Sequence, residues 1–254
     1  EGMINAYKAS GNRDYYESAK KSFTFIKNNM WKKDKLYACY HDREYFSAYL
    51  DDYAFLSKSC LELLKIEWDD SKFSFLIMLV DILINDFQDL NNGGFYFTSK
   101  DHEELIYRPK SYMDESLPSG NSVAIDVLLE IYELTGDSKY ISAVENALKS
   151  AHDSLTRSSF SHCSLLLAAP RTRVSKRLII IRCDKKDLKL NQELINKTDA
   201  INDNIYFIAN NEEISVKSLS DKISKGSFTA YICQDNVCSA PIESIDEFIE
   251  FIKQ

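Results

Sequence analysis

Through the first 168 positions apolar residues recur at spacings of three and four, and the polar residues between them gather into short clusters. That period predicts amphipathic helices near 13–29, 45–65, 71–89, 119–134, 138–155 and 159–168. The opening residues, EGMINAYKASG, read as the end of a helix already under way. The segment from Tyr7 to Tyr15 (YKASGNRDY) matches Tyr132 to Tyr140 (YELTGDSKY), and each is followed by an amphipathic stretch, ending at Phe23 and Leu148. A weaker third copy runs from Lys65 through Asp69, Asp70, Ser71 and Lys72 to Phe73. In each copy a helix stops at Gly or Asp, turns through a few polar residues, and restarts behind an Asp or Ser cap, which defines an αα-hairpin corner. The corners at Gly11, Asp69 and Gly136 are 58 and 67 residues apart, room for a pair of long helices plus an inserted loop.

Between successive pairs lie short aromatic, strand-like pieces, Leu36–His41 and Gly94–Thr98, on what would be one end of the assembly. The alternation predicts a mainly α fold, a partial α/α toroid over residues 1–170 with its functional loops on one rim. After Pro170 the period changes. Arg177–Cys183, Asn204–Ala209 and Phe228–Cys233 read as buried strands, with helices at Asp187–Lys197 and Ile242–Lys253, a small C-terminal α/β segment over 171–254.

Composition narrows the function classes. Of 254 residues 44% are hydrophobic and 28% charged, a globular balance, and only 7 Gly and 4 Pro leave few turns. The formal charge of -8 opposes binding to phosphate backbones, so nucleic acid is not an expected partner. The longest apolar run, Phe73 to Ile84, covers 12 residues and contains Asp81; a membrane span needs ~20. No basic-then-apolar leader opens the sequence, and six scattered cysteines in a chain this long suggest a reducing, cytoplasmic setting. Cys233 and Cys238 are separated by four residues where redox pairs and zinc knuckles usually have two, so they read as half-buried thiols at a strand end; neither a metal site nor a cofactor is expected. Asn196-Lys197-Thr198 fits a glycosylation acceptor but has no secretory context.

The candidate chemistry lies between the apolar helices. Residues 91–122 form a long polar loop with paired glycines and several carboxylates, the profile of a binding or active-site element. Asp114 and Glu115 are carboxylates suited to proton transfer, Arg108 is held extended by Pro109, and Ser119, Asn121 and Ser122 offer hydrogen bonds at a helix start. Asp51 and Asp52 open another helix. One carboxylate suffices as a cap, which leaves the other free beside Tyr53 to act as a base or to grip hydroxyls. Tyr96 alternates with Phe95 and Phe97 and could stack on a sugar. His41 ends a predicted strand on the same rim, with a solvated surface histidine as its plainer role. Each feature also has a purely structural reading as a cap, a salt bridge or packing.

Taken together, LDDYAFL at 50–56, GGFYFT at 93–98, RPK at 108–110, D-x-x-LPSGNS at 114–122 and TGD-x-x-Y at 135–140 resemble the YyaL/spermatogenesis-associated protein 20 family of thioredoxin-domain-containing proteins. The YIC-x4-C-x-x-P tail at 231–241 is similar to that family's C-terminus. The resemblance implies an (α/α)6, six-hairpin glycosidase-like barrel, related to N-acylglucosamine 2-epimerases, of which this chain is the C-terminal part. An open ring would expose an apolar edge for a second copy or a separate chain to cover. The leading expectation is a rim site for a carbohydrate-like ligand, with Asp51, Asp52 and Asp114 as candidate catalytic carboxylates and Tyr53, Tyr96, Arg108 and Asn121 as binding groups. The competing expectation is a noncatalytic interaction or regulatory scaffold. Carboxylates converging on a cavity support the first, and oxygens satisfied by backbone N–H groups support the second.

Overall fold

The computed structural model describes residues 1–103, 106–198, 203–234 and 237–253. Three helical hairpins stand side by side: α1 (Gly2–Ser10) with α2 (Arg13–Asn29), α3 (Leu50–Ile66) with α4 (Asp70–Ile82), and α5 (Gly120–Thr135) with α6 (Ser138–Arg157). A short α7 (Cys163–Ala168) packs on α5. Helices α3 and α5 bury residues around most of their circumference and pack on each other, whereas α2 and α6 bury a single stripe. The result is a two-layered, curved array, a partial α/α toroid with a small α/β segment.

The repeated corners are built as their sequence predicts. Gly11 and Gly136 adopt left-handed φ angles of 68° and 71°, and their N–H groups donate to the carbonyls of Tyr7 and Tyr132, both at 2.8 Å. Asn12 and Asp137 then cap the following helices through the backbone N–H groups of Asp14 and Lys139. The third corner lacks glycine, and Asp69 caps α4 through the Lys72 N–H.

Two local expectations are corrected. Arg43–Ser47 is a strand, β3, which pairs with β2 (Lys35–His41) from His41↔Arg43 to Tyr37↔Ser47, so the helix expected from 45 begins only at Leu50. A further hairpin joins β1 (Trp31–Lys32) to β2, with Lys33 and Asp34 both at positive φ in the tight turn that strand twist favours. Gly94–Thr98 is not a strand: only Phe95 pairs, in an isolated bridge with Gln88. Preceding it, α4 passes at Ile82 into a π-helical turn, Leu83–Phe87.

The C-terminal sheet has the order β5-β4-β6-β7, from β4 (Leu178–Cys183), β5 (Asn204–Ala209), β6 (Phe228–Gln234) and β7 (Val237–Cys238). Strands β4 and β5 are parallel, joined over α8 (Leu188–Ile195), while β6 runs antiparallel to β4. Alternation of side chains divides the sheet between two cores. Ile180, Tyr206, Ile208 and Tyr231 join the toroid core, whereas Ile179, Ile181 and Phe207 pack with Leu188, Ile195 and Phe248, the last from α10 (Ile245–Ile252). The sheet is therefore docked on the helices. Tyr206 Oη donates to Glu130 at 2.6 Å and the Trp68 N–H to the Phe207 carbonyl at 3.0 Å.

Cys233 and Cys238, expected as free thiols, are joined in a disulfide. The β6–β7 hairpin places them directly opposite each other, a pairing that spacing rules for helices and zinc knuckles do not describe. A hollow of about 740 Å³ opens between α2, α3 and the start of α1, lined largely by apolar residues including Phe23, Ile26, Met30, Phe55 and Leu63. Among the described residues, no helix is long and apolar enough to cross a membrane.

Candidate functional site

The long loop is organised by Asp89, a residue outside the predicted set. Its carboxylate accepts from the N–H groups of Asn91 and Asn92 and from Lys110 Nζ at 2.9 Å, and Tyr96 also hydrogen-bonds to it. Burial would raise this carboxyl, but Lys110 and the Asn92 donor hold it well below the usual range. Arg108 lies 4.2 Å above the Tyr96 ring and donates to the carbonyls of Asp86 and Thr98, so both residues fasten the loop. Asn121, 1% exposed, binds the Phe95 N–H through Oδ1 and the carbonyls of Phe95 and Ser111 through Nδ2, all within 2.9 Å. Every hydrogen of its amide group is committed.

Asp114 is committed in the same way. One oxygen accepts the Ser119 N–H at 3.0 Å and the other the Ser164 N–H at 2.8 Å, which ties the loop to the starts of α5 and α7. Tyr53 is buried and its hydroxyl accepts the Leu36 N–H at 2.9 Å, locking α3 to β2. Asp52, the third residue of α3, accepts the Tyr49 N–H at 2.9 Å and satisfies one free donor at the helix start, and the residue borders the 740 Å³ hollow. Burial raises its pKa and that hydrogen bond opposes the rise. His41 is exposed at the end of β2.

Asp51 is different. It is half-buried, and its side chain makes no hydrogen bond to a described residue. Burial, then the charges of Asp52 and Glu115, raise its pKa. Its carboxylate lies against the first residue of α5, since a Cβ on Gly120 would fall 2.1 Å from Oδ1. Asp51, Glu115, Asn121 and Phe97 line a hollow of about 380 Å³ whose walls also include Leu50, Pro109 and Pro118. A carboxylate with raised proton affinity in such a hollow can exchange protons with, or accept hydrogen bonds from, a hydroxyl-bearing ligand. The structure thus places Asp51 and Asn121 at one hollow and Asp52 at the border of another, and uses Asn121, Asp114, Arg108, Tyr53 and Tyr96 in the framework.

A second cluster escaped sequence reasoning. Lys58, Glu62 and Lys65 of α3 face Asp126, Glu130 and Glu133 of α5, and Arg171 binds Asp126 and, at 3.0 Å, Glu133. Burial would raise Asp126, but Lys58 and Arg171 lower it to about 2. Glu62 is likewise held well below the usual range, against its burial, by Lys65, Lys8 and Lys58. The available signal was charge at three- and four-residue spacing within two otherwise apolar helices. Among the described residues no group of three His, Cys, Asp or Glu side chains has the arrangement of a metal site.

No family model matches the chain. It is 23% identical, over an alignment of 271 residues, to uncharacterized protein B0495.5 of Caenorhabditis elegans, covering all of this chain and 36% of that protein. It is 24% identical over 208 residues to spermatogenesis-associated protein 20 of Homo sapiens, covering 76% of this chain and 26% of the relative. The chain thus spans about a third or less of the length of these relatives. In structure it is similar to the family 76 α-mannanase BT2949 of Bacteroides thetaiotaomicron, with a TM-score of 0.53, 18% identity, and coverage of 77% of this chain and 54% of that one. The family 76 mannosidase Bt3792 from the same organism gives a TM-score of 0.49 at 14% identity, over 59% and 41% of the two chains. The fold is of the six-hairpin glycosidase type, and the sequence carries weak homology to spermatogenesis-associated protein 20.

Proposed function

We propose that the chain is a six-hairpin-type segment that binds a carbohydrate-like ligand in the hollow between the starts of α3 and α5. Asp51 is the hydroxyl-binding and proton-exchanging carboxylate in this reading, Phe97 supplies an apolar wall, and Glu115 a second carboxylate at the mouth. The observation that carries it is the contrast between Asp51 and its neighbours: Asp114 spends both oxygens on backbone N–H groups, whereas the Asp51 side chain accepts no hydrogen bond from the described residues and lines the hollow. The fold, shared with an α-mannanase, and the motif resemblance to the YyaL/spermatogenesis-associated protein 20 family are consistent with a carbohydrate-related role. A thermal-shift and calorimetric screen against monosaccharides and short glycans tests the reading. Binding by the wild-type chain that is lost in Asp51→Asn supports it; binding unchanged by that substitution, or no binding across the panel, rejects it.

A noncatalytic scaffold is the second reading. It is favoured by the backbone hydrogen bonds of Asp114, Asn121 and Arg108, which make the former candidates into a loop-fastening network. An interaction surface would then use the rim as shape rather than as chemistry.

A further inference from the structure

Cys233 and Cys238 form the described disulfide of a chain whose other four cysteines are unpaired, and two of those, Cys39 and Cys163, are exposed. The two bonded residues are unequal: Cys233 is 7% exposed on the inner strand β6, while Cys238 is exposed on the edge strand β7. Both border a hollow of about 640 Å³ where the sheet meets α5 and α6. Arg171, Arg173, Lys176 and Lys222 line it, against the carboxylates of Glu133, Glu145 and Asp221, and Arg171 is the one committed to Glu133.

The fold does not depend on this bond for its register. Strand β6 is held by six consecutive pairs with β4, from Leu178↔Cys233 to Cys183↔Phe228, and its inward side chains belong to both cores. Strand β7 contributes two residues at the sheet edge. Opening the disulfide would loosen an edge hairpin and leave the central strands in place. An exposed sulfur under attack, cations lining the same hollow that stabilise a leaving thiolate, and a cavity reaching both sulfurs are conditions that favour thiol–disulfide exchange.

We propose that Cys233–Cys238 is an exchangeable disulfide that oxidises a dithiol, either small or carried on a peptide, entering through this hollow. One thiolate of the substrate attacks Sγ of Cys238. The new substrate–Cys238 bond forms as the Cys233–Cys238 bond breaks, and the electron pair leaves on Cys233 as a thiolate beside the lining cations. The second substrate thiolate then attacks the substrate sulfur of this mixed disulfide, which releases Cys238 as a thiolate and the substrate as its own disulfide. Two electrons pass to the protein, and the two protons given up by the dithiol are taken by the two cysteines.

The test uses the full chain in a Cys39→Ser/Cys163→Ser background, incubated with dithiothreitol or with graded ratios of reduced to oxidised glutathione. Intact mass and maleimide labelling report the thiols, and circular dichroism reports the fold. Expected is a gain of two labelled thiols across the glutathione series with an unchanged far-ultraviolet spectrum. With oxidised glutathione as the probe, Cys233→Ser should be modified at Cys238 at least about tenfold faster than Cys238→Ser is modified at Cys233, given the difference in access. A disulfide that persists at every ratio overturns the proposal. So does reduction that unfolds the wild-type cysteine pair, or equal rates in the two variants, because each marks a structural staple.

Discussion

Oδ1 of Asp51 occupies the space that any side chain at residue 120 would need, 2.1 Å from where a Cβ on Gly120 would be. Two helix starts therefore meet at one carboxylate, and the glycine is present for clearance, since no positive φ requires it. Gly120→Ala should destabilise the chain by about 1–3 kcal/mol through overpacking. In an Asp51→Ala background most of that loss should vanish, giving a coupling of about 1 kcal/mol or more by urea unfolding of the four proteins. Additive effects would mean that the two residues do not meet.

Protonation of Asp51 links the same site to pH. Its folded pKa is raised, so between the unfolded and folded values the folded chain holds more protons, and stability falls as pH rises through that window. Asp51→Asn removes this loss. The variant should melt about 1–2 °C above wild type at pH 7, a small gain because a half-exposed carboxylate is screened by solvent, and level with it at pH 3. A lower melting temperature at pH 7 would show that the charge is stabilising.

The loop fasteners should behave as framework. Asp114→Ala leaves the Ser119 and Ser164 N–H groups without acceptors and is expected to cost about 2–3 kcal/mol. Asn121→Asp should cost at least as much, because a carboxylate cannot donate to the carbonyls of Phe95 and Ser111. Denaturant melts of both variants check this; a change below about 0.5 kcal/mol for Asp114→Ala would return that residue to the list of free carboxylates.

Arg171 has the largest expected effect. Its replacement by Met strands buried Glu133 and leaves Asp126 paired with Lys58 alone, with a predicted loss of about 3–5 kcal/mol. The pH sign is opposite to that of Asp51. Asp126 is depressed to about 2, so its stabilising contribution is complete above the ordinary carboxylate range and disappears as pH falls toward about 2. Acid unfolding of the wild type should be steep in that interval and much shallower in Asp126→Asn. Equal slopes would remove Asp126 from the network.

The helical hairpins were legible because their determinants are local. Gly11 and Gly136 each follow an amphipathic stretch and precede a cap, and the structure forms them with the same left-handed geometry. The helix start at Leu50 was not legible, since the residues before it pair with a strand that hydropathy alone cannot assign to them. For the long loop, sequence located a polar, carboxylate-bearing segment but could not tell a carboxylate facing backbone donors from one facing a cavity. Asp114 and Asp51 look equivalent in the chain and differ only in what folds against them.

Periodicity, caps and glycine corners thus determined a mainly α repeat followed by an α/β segment, because those signals act within a few residues. Tertiary structure decided the rest: which carboxylate stays free, how Lys58, Arg171 and the acids of α5 compensate one another, and that Cys233 faces Cys238 across a hairpin. Each depends on distance in space between residues whose separation along the chain carries no information about it.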